Sequence, residues 1–344
     1  MKTNCLLPFQ RIKIDSDGGY QSCCHQSAWY GNVLDESFDV LNLYKHTIAK
    51  AVQDKSINNK LHDICNNEKC PVYHTDKKSN IEFDSKPYPT EIELALPPIW
   101  CNIGGLNPTP DTACFMCPRA DENFEDIFDQ NDYTDEIVEK IKPAMPYVRS
   151  LSILGLAEPF WQGKIFDVFD KLEFKKYKEK SYFWTFTNGQ LFIEKYQNKF
   201  LDYVDSHSLA FSVDAATPET YKKIRKSNFD MYEQTWKNIE SYFKKVQNRS
   251  NVTSHITSNI NLINLQEMPD IIKKANGIGV PKVQFILTHS TTGKTPVETE
   301  YSYTMCNGEN WEEFWDMQLL SEELGKKLNI ETQFYVPFHR GYKN

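Results

Sequence analysis

The sequence lacks any run approaching the roughly 18 uninterrupted apolar residues that a membrane-spanning helix requires, so a helical membrane protein is not expected. It also lacks a basic surplus. With 39 Lys and Arg against 47 Asp and Glu, a net charge of -8 and a pI near 5.6, a broad footprint on nucleic acid or an anionic membrane is disfavoured, although a local basic cleft stays open. The opening MKTNCLLPFQRIKID carries Asp15 where a secretory leader would still be apolar, so a cytoplasmic protein is the expectation. Compositional bias is absent too: 14 Gly, 17 Pro, 40% hydrophobic and 25% charged residues in 344 exclude a collagen-like, low-complexity or wholly disordered chain. A folded chain of this length holds about two domains or one large one.

Cysteine is what the sequence has in quantity. Of nine, five fall in the first 70 residues (Cys5, Cys23, Cys24, Cys65, Cys70), three stand together (Cys101, Cys114, Cys117), and Cys306 is alone near the end. Disulfide frameworks belong to small secreted domains, so metal or redox chemistry is the better reading of this pattern in a cytoplasmic chain. Eight scattered histidines show no metal-ligand spacing and read as surface or core.

The rhythm of the chain divides it. Residues 1–80 have short apolar runs and read as a small domain without enough core of its own, the kind a metal staples. Within it, IKIDSDGGYQSCC reads as a hairpin turning at Asp17, Gly18 and Gly19, and SFDVLNLYKHTIAKAVQD as helical. The polar HTDKKSNIEFDSKPYP is the expected linker. From residue 90 to 290 six strand candidates (EIELALPPIW, YVRSLSILGLA, YFWTFTNG, SLAFSVDAA, VTSHITSNINLI, VPKVQFILTH) alternate with amphipathic helices. This rhythm implies parallel strands joined by right-handed crossovers, and six units imply an α/β fold of the partial (βα)6 barrel type. Residues 291–344 read as a closing strand or helices. Active groups of such a sheet gather at the carboxyl ends of its strands, where the cysteine loop, GLAEP, TNG and SVDAA all fall.

The loop WCNIGGLNPTPDTACFMCPRA spaces its cysteines C-x12-C-x2-C. Three thiolates, rather than four, suit an iron-sulfur cluster whose fourth iron stays open to another ligand. Spacing alone leaves a zinc site with a further ligand equally open.

Five motifs in register over residues 90–290 resemble the radical S-adenosylmethionine (SAM) enzymes: the cysteine triad, GLAEP, TNG, SVDAATPETYKKIRKSNFD and NLQEMPDIIKKANGIGV. The resemblance implies that Cys101, Cys114 and Cys117 hold a SAM-cleaving [4Fe-4S] cluster. It implies that Gly155, Leu156, Ala157 and Glu158 form the turn whose backbone meets the amino group of SAM, with Asn188 of TNG beside it. Ser212 and Asp214 would sit by the ribose and methionine end, and Arg225 would pair with a carboxylate. The family triad is C-x3-C-x2-C, and the nine extra residues here can bulge at small entropic cost, since closure grows only logarithmically with length. Phe115 and Met116 would pack around cluster and adenine, or serve as ordinary core.

Cys5, Cys23, Cys65 and Cys70 are similar to the SPASM or Twitch extension, which carries auxiliary iron-sulfur clusters, here placed before the barrel rather than after it. Four ligands suffice for one auxiliary cluster, expected to be [4Fe-4S], and a structural zinc at the same thiolates remains the alternative. Cys24, next to Cys23 on a strand, would face the other way and be structural. Cys306 is the candidate for a catalytic hydrogen-atom or proton donor, with a buried thiol as the alternative; Tyr301, Tyr303 and His339 are similar cases. The resemblance further implies a flavodoxin or ferredoxin type electron donor. The substrate it implies is a peptide or protein side chain, or else a small sugar or nucleotide. A zinc-stapled, non-catalytic binding module is the reading from another class.

Overall fold

Strands that alternate with helices of about ten residues can pair only in parallel, because each crossover returns the chain to the same end of the sheet. The computed structural model describes residues 2–3, 5–23, 26, 28–58, 60, 62–65, 81–82, 86–103, 112–117, 131–226, 229–287 and 311–335. Its elements run β1 (Lys2–Thr3), α1 (Leu7–Gln10), β2 (Arg11–Ile14), β3 (Gly19–Gln21), β4 (Gly31–Asn32), α2 (Thr47–Ile57), β5 (Ile81–Glu82) and β6 (Glu91–Leu96). There follow α3 (Thr134–Ile141), β7 (Ser150–Gly155), α4 (Lys164–Lys171), β8 (Tyr182–Thr187), α5 (Glu194–Tyr203) and β9 (Ser206–Ser212). The rest is α6 (Pro218–Arg225), α7 (Phe229–Val246), β10 (His255–Ile260), α8 (Met268–Gly277), β11 (Lys282–Leu287), α9 (Trp311–Leu328) and β12 (Glu331–Tyr335).

The described strands form a ten-stranded sheet in the order β12-β11-β10-β9-β8-β7-β6-β2-β3-β4. Sequential neighbours make this the wall of a (βα) barrel rather than a doubly wound sheet. All six expected strands are present, and the wall is longer than six. At one end β12 pairs in parallel with β11. At the other, β2 pairs in parallel with β6 through Arg11↔Glu91 to Ile14↔Leu94. The cysteine-rich first segment therefore joins the large sheet edge-on, and its Ile12, Ile14, Tyr20 and Tyr30 belong to the same buried cluster as the barrel strands. The expected linker contributes a strand as well, since Ile81–Glu82 pairs with Lys2–Thr3.

Local chemistry explains the elements. The β2–β3 turn closes with Gly18 at φ +87°, a conformation that glycine adopts without strain, while the Gly19 amide donates to Asp17 Oδ1 at 2.9 Å. Helix α6 starts at Thr217, whose side chain accepts from the Thr220 amide, with Pro218 in the first turn. In β8 the alternation YFWTFT buries Phe183, Thr185 and Thr187 and leaves Tyr182, Trp184 and Phe186 half-buried.

The outer face of the sheet is packed with aromatic rings. Phe169 of α4 stacks on Phe174 at 5.2 Å and meets Phe183 edge-on at 5.1 Å, while Phe200 of α5 meets Phe183 at 5.6 Å. These geometries favour the ring quadrupoles and fix helices to strands. The inner face is different. Residues opposite one another in the ladder share a face, so Arg11, Glu91, Ser150, Tyr182 and Ser206 form one inner row, and Lys13, Glu93, Ser152, Trp184 and Ser208 the next. Arg11 lies 2.9 Å from Glu91 and 3.8 Å from Glu93.

Fully buried His207 of β9 ties the outer face together. Its Nε2 lies 2.8 Å from the Tyr242 hydroxyl, which is 2.6 Å from Ser254 Oγ, and that oxygen accepts from the Leu209 amide. Burial pushes the pKa of the ring down to about 4 from 6.5, so it is neutral at pH 7. A depressed value of this kind supplies stability above pH 6.5 that is lost as pH falls toward 4, at most about 3 kcal/mol. Urea unfolding at pH 7.5 and pH 5 should show that loss, and His207→Gln, which cannot titrate, should flatten it.

Candidate metal and cofactor site

The parallel strands β6 to β10 all end at one rim, and the residues that follow β6, β7, β8 and β9 lie there. After β6 a 3-10 turn, Pro98–Trp100, delivers Cys101, whose Sγ donates to the Ile103 carbonyl at 2.8 Å. Cys114 and Cys117 face each other across a tight turn, the Cys117 amide donating to the Cys114 carbonyl at 2.8 Å. This turn is docked on the end of α6, where the Phe115 amide donates to the Ile224 carbonyl at 2.7 Å. Burial above all, and then the neighbouring Cys114, Cys117 and Glu158, against the hydrogen bond to Ile103, push the Cys101 thiol up to about 12. Burial also raises Cys114, opposed by Arg225.

Glu158, 1% exposed, is the hub of the next two loops. Its Oε1 accepts from the Thr187 hydroxyl at 2.7 Å and the Phe160 amide at 3.2 Å, and its Oε2 from the Asn188 amide at 2.7 Å. Its own amide donates to the Trp100 carbonyl, next to Cys101, at 3.3 Å. Burial pushes its pKa up to about 7, against the pull of these donors. Asn188 Nδ2 reaches Asn102 Oδ1 at 2.7 Å, and Asn102 Nδ2 reaches Gln190 Oε1 at 2.6 Å. The turn itself requires glycine: Gly155 has φ +112°, and a Cβ there would stand 2.9 Å from the Leu96 carbonyl oxygen. Leu156 and Ala157 follow it, half-buried.

The third group ends β9. Arg225, 8% exposed, meets fully buried Asp214, Nη2 lying 2.5 Å from Asp214 Oδ2 and 3.0 Å from the Ser212 carbonyl oxygen. Its Nη1 is 3.8 Å from Cys114 Sγ. Asp214 Oδ1 accepts from the Asn259 amide at 2.8 Å, and its carbonyl from Asn264 Nδ2 at 2.7 Å. Glu267 holds the following residues through the Ala216 amide and the Thr217 hydroxyl, both at 2.6 Å. Arg225 is thus paired with the carboxylate of Asp214.

The donor set fits an iron-sulfur group with three protein thiolates. Among the described residues, no three His, Cys, Asp or Glu side chains are gathered as a single ion needs. A cubane asks for something else, because each thiolate takes its own iron. A buried orphan fits a bound organic ligand: Thr257 Oγ1, opposite Ser212 in the β9–β10 ladder, is 2% exposed and finds no hydrogen-bond partner among the described residues.

In the first segment, Cys23 and Cys65 both approach the Tyr30 hydroxyl, which burial and then these thiols raise, against Ser22 and Gln26, to about 12. Gln26 and Cys65 form a β-bridge, and the Cys5 carbonyl accepts from Ser56 Oγ at 3.1 Å at the end of α2. Cys24, Cys70, Tyr301, Tyr303, Cys306 and His339 lie outside the described residues. Sequence reasoning missed Asn102, Gln190, Thr257 and Asn259, and quoted Thr187, Asn264 and Glu267 only as members of TNG and NLQEMPDIIKKANGIGV without giving them a role. The one signal for Asn259, Asn264 and Glu267 was amide density in NINLINLQE, which reads as an ordinary loop until the partners are in place.

No protein-family model and no curated protein matches the chain. Among solved structures it is similar to Streptococcus suis SuiB, with 16% identity and a TM-score of 0.47 over 73% of this chain and 50% of that one. It is also similar to SuiB bound to precursor peptide SuiA, with 14% identity and a TM-score of 0.49 over 98% and 73%. A third is anSMEcpe with bound AdoMet, with 18% identity and a TM-score of 0.48 over 71% and 61%. The chain thus spans about half the length of the first of these.

Two substitutions test this framework by denaturant unfolding. Glu158→Ala strands three buried donors and should cost about 3 kcal/mol or more, with Glu158→Gln losing less because one acceptor remains. Gly155→Ala should cost about 1–3 kcal/mol through backbone strain and the clash with β6.

Proposed function

We propose that this chain is a radical SAM enzyme that abstracts hydrogen from a peptide or protein side chain. The observation that carries the reading is the meeting of the Cys101 and Cys114–Cys117 loops with the buried Glu158 and Asp214–Arg225 networks at one rim of a parallel sheet. Cys101, Cys114 and Cys117 would hold three irons of a [4Fe-4S] cluster and leave the fourth for SAM. Such a group, when bound, supplies one electron that splits SAM into methionine and a 5′-deoxyadenosyl radical able to take a hydrogen atom from carbon.

The protein's part is placement and exclusion of water. Backbone groups of Gly155, Leu156 and Ala157 would meet the SAM amino group, with Glu158 acting from behind by fixing the turn to the Asn188 loop. The Ser212 and Thr257 hydroxyls, adjacent on the inner face, would face the ribose and methionine end. Asp214 is fully buried and would act through Arg225. Cys5, Cys23, Cys65 and Cys70 would bind one auxiliary cluster and Cys306 would return a hydrogen atom or proton. A flavodoxin or ferredoxin type protein would deliver the electron.

A polar substrate is favoured by the inner wall. (βα) barrels usually fill this space with Val, Ile and Leu, whereas here Arg11, Lys13, Glu91, Glu93, Ser150 and Ser152 line it half-buried. An extended peptide offers matching donors and acceptors all along its length. The rival small-alcohol oxidation would differ in its product.

After anaerobic reconstitution, iron and sulfide should be about eight per chain, falling to about four in the Cys101→Ala, Cys114→Ala, Cys117→Ala triple variant, which should form no 5′-deoxyadenosine. Zinc in place of iron would return the chain to the binding-module reading, and a modified small alcohol instead of a modified peptide would overturn the substrate class.

A further inference from the structure

The contact between Arg225 and Cys114 has no role in the function proposed above, although both partners are held in place at the rim. The guanidinium is fixed at three points: Cys114 Sγ at 3.8 Å from Nη1, and the Ser212 carbonyl at 3.0 Å and Asp214 Oδ2 at 2.5 Å from Nη2. Arginine stays charged in any protein environment. Here burial works against the charge, yet Asp214 and then Cys114 hold its pKa above the ordinary value. Asp214 is immobile in turn, held by the Asn259 amide and Asn264 Nδ2. The loop bearing the sulfur is pinned to the same helix end by the Phe115 amide and the Ile224 carbonyl. The guanidinium therefore stands between its counter-charge and the sulfur, Nη2 on Asp214 and Nη1 on the thiol.

We propose that Arg225 is a positioning and tuning residue that raises the reduction potential of the metal group held at Cys114, and that Asp214 aims it and moderates it. The proposal rests on the functional reading above. An iron-sulfur group with thiolate ligands gains one further negative charge when it accepts an electron, with no bond made or broken. Hydrogen bonds and positive charge at a ligand sulfur stabilise that extra charge and raise the potential. In a buried site neither water nor salt screens the effect well. The opposite sign of Asp214, one step further from the sulfur, reduces it. The two residues should thus shift the potential in opposite directions, which loss of packing would not do.

The test is a redox titration of the anaerobically reconstituted full chain with dithionite as the electron source, followed by electron paramagnetic resonance on the signal that added SAM perturbs. That choice separates the group at Cys114 from any cluster at the amino-terminal cysteines. Arg225→Gln should retain iron and lower the ratio of reduced to oxidised group at a fixed potential by at least roughly tenfold, about 59 mV for a one-electron couple. Arg225→Lys, which keeps the charge and loses the fork, should shift it less in the same direction. Asp214→Asn should shift it the other way. An unchanged midpoint in iron-loaded Arg225→Gln overturns the proposal and leaves the functional reading standing. Should Arg225→Gln fail to load iron, an unchanged or lowered midpoint in Asp214→Asn overturns it equally. A wild-type chain with no SAM-sensitive signal overturns the functional reading, and this proposal with it.

Discussion

The rim of this protein depends on one buried ion pair, Asp214 with Arg225. Taking two charges out of water costs several kcal/mol per ion, and their attraction offsets that only when the remaining lone pairs and protons are also satisfied. The chain meets part of this demand with backbone partners: the Asn259 amide on Asp214 Oδ1, and the Ser212 carbonyl on Arg225 Nη2. As a result β9, β10, α6 and the cysteine turn are joined at a single point, though they come from distant parts of the sequence. Removing either charge alone would leave the other buried and uncompensated, typically a loss of about 3–5 kcal/mol.

Glu158 plays the matching part on the other side of Cys101. It is a second buried carboxylate, satisfied by donors from its own turn and from the β8 loop, and its amide is tied to the Trp100 carbonyl. Two polar hubs with fixed partners tie the loops of the rim together and make it rigid. Rigidity is also supplied from behind. The aromatic rings of α4 and α5 pack edge-on against the outer face of β8, so the strands that carry the rim have little freedom to shift.

The two faces of the sheet have opposite chemistry. The outer face is dry and aromatic, and the inner face carries charges and hydroxyls that are half-buried. The amino-terminal hairpin extends both faces by joining β2 to β6, and its Arg11 engages Glu91 and Glu93 across that seam. This seam brings the Cys23 and Cys65 region into the same sheet that presents Cys101.

Much of this was legible in the sequence. Period-two alternation in YFWTFT and KVQFIL, with intervening amphipathic segments, determined the strands and their parallel pairing, because crossovers of that length permit little else. The turn at Gly18 was legible for the same reason: local backbone chemistry acts over a few residues. Motif order placed Glu158, Asn188, Asp214 and Arg225 at one rim. What the sequence left open was who faces whom. That Arg225 spends its charge on Asp214 and reaches Cys114, that Asn102 and Gln190 bridge two loops, that Thr257 stands orphaned beside Ser212, and that the first segment fuses with the barrel sheet are contacts between residues up to 111 positions apart. No local propensity encodes such pairings. They are decided only when the tertiary structure excludes water from the rim and each buried donor and charge must find its partner there.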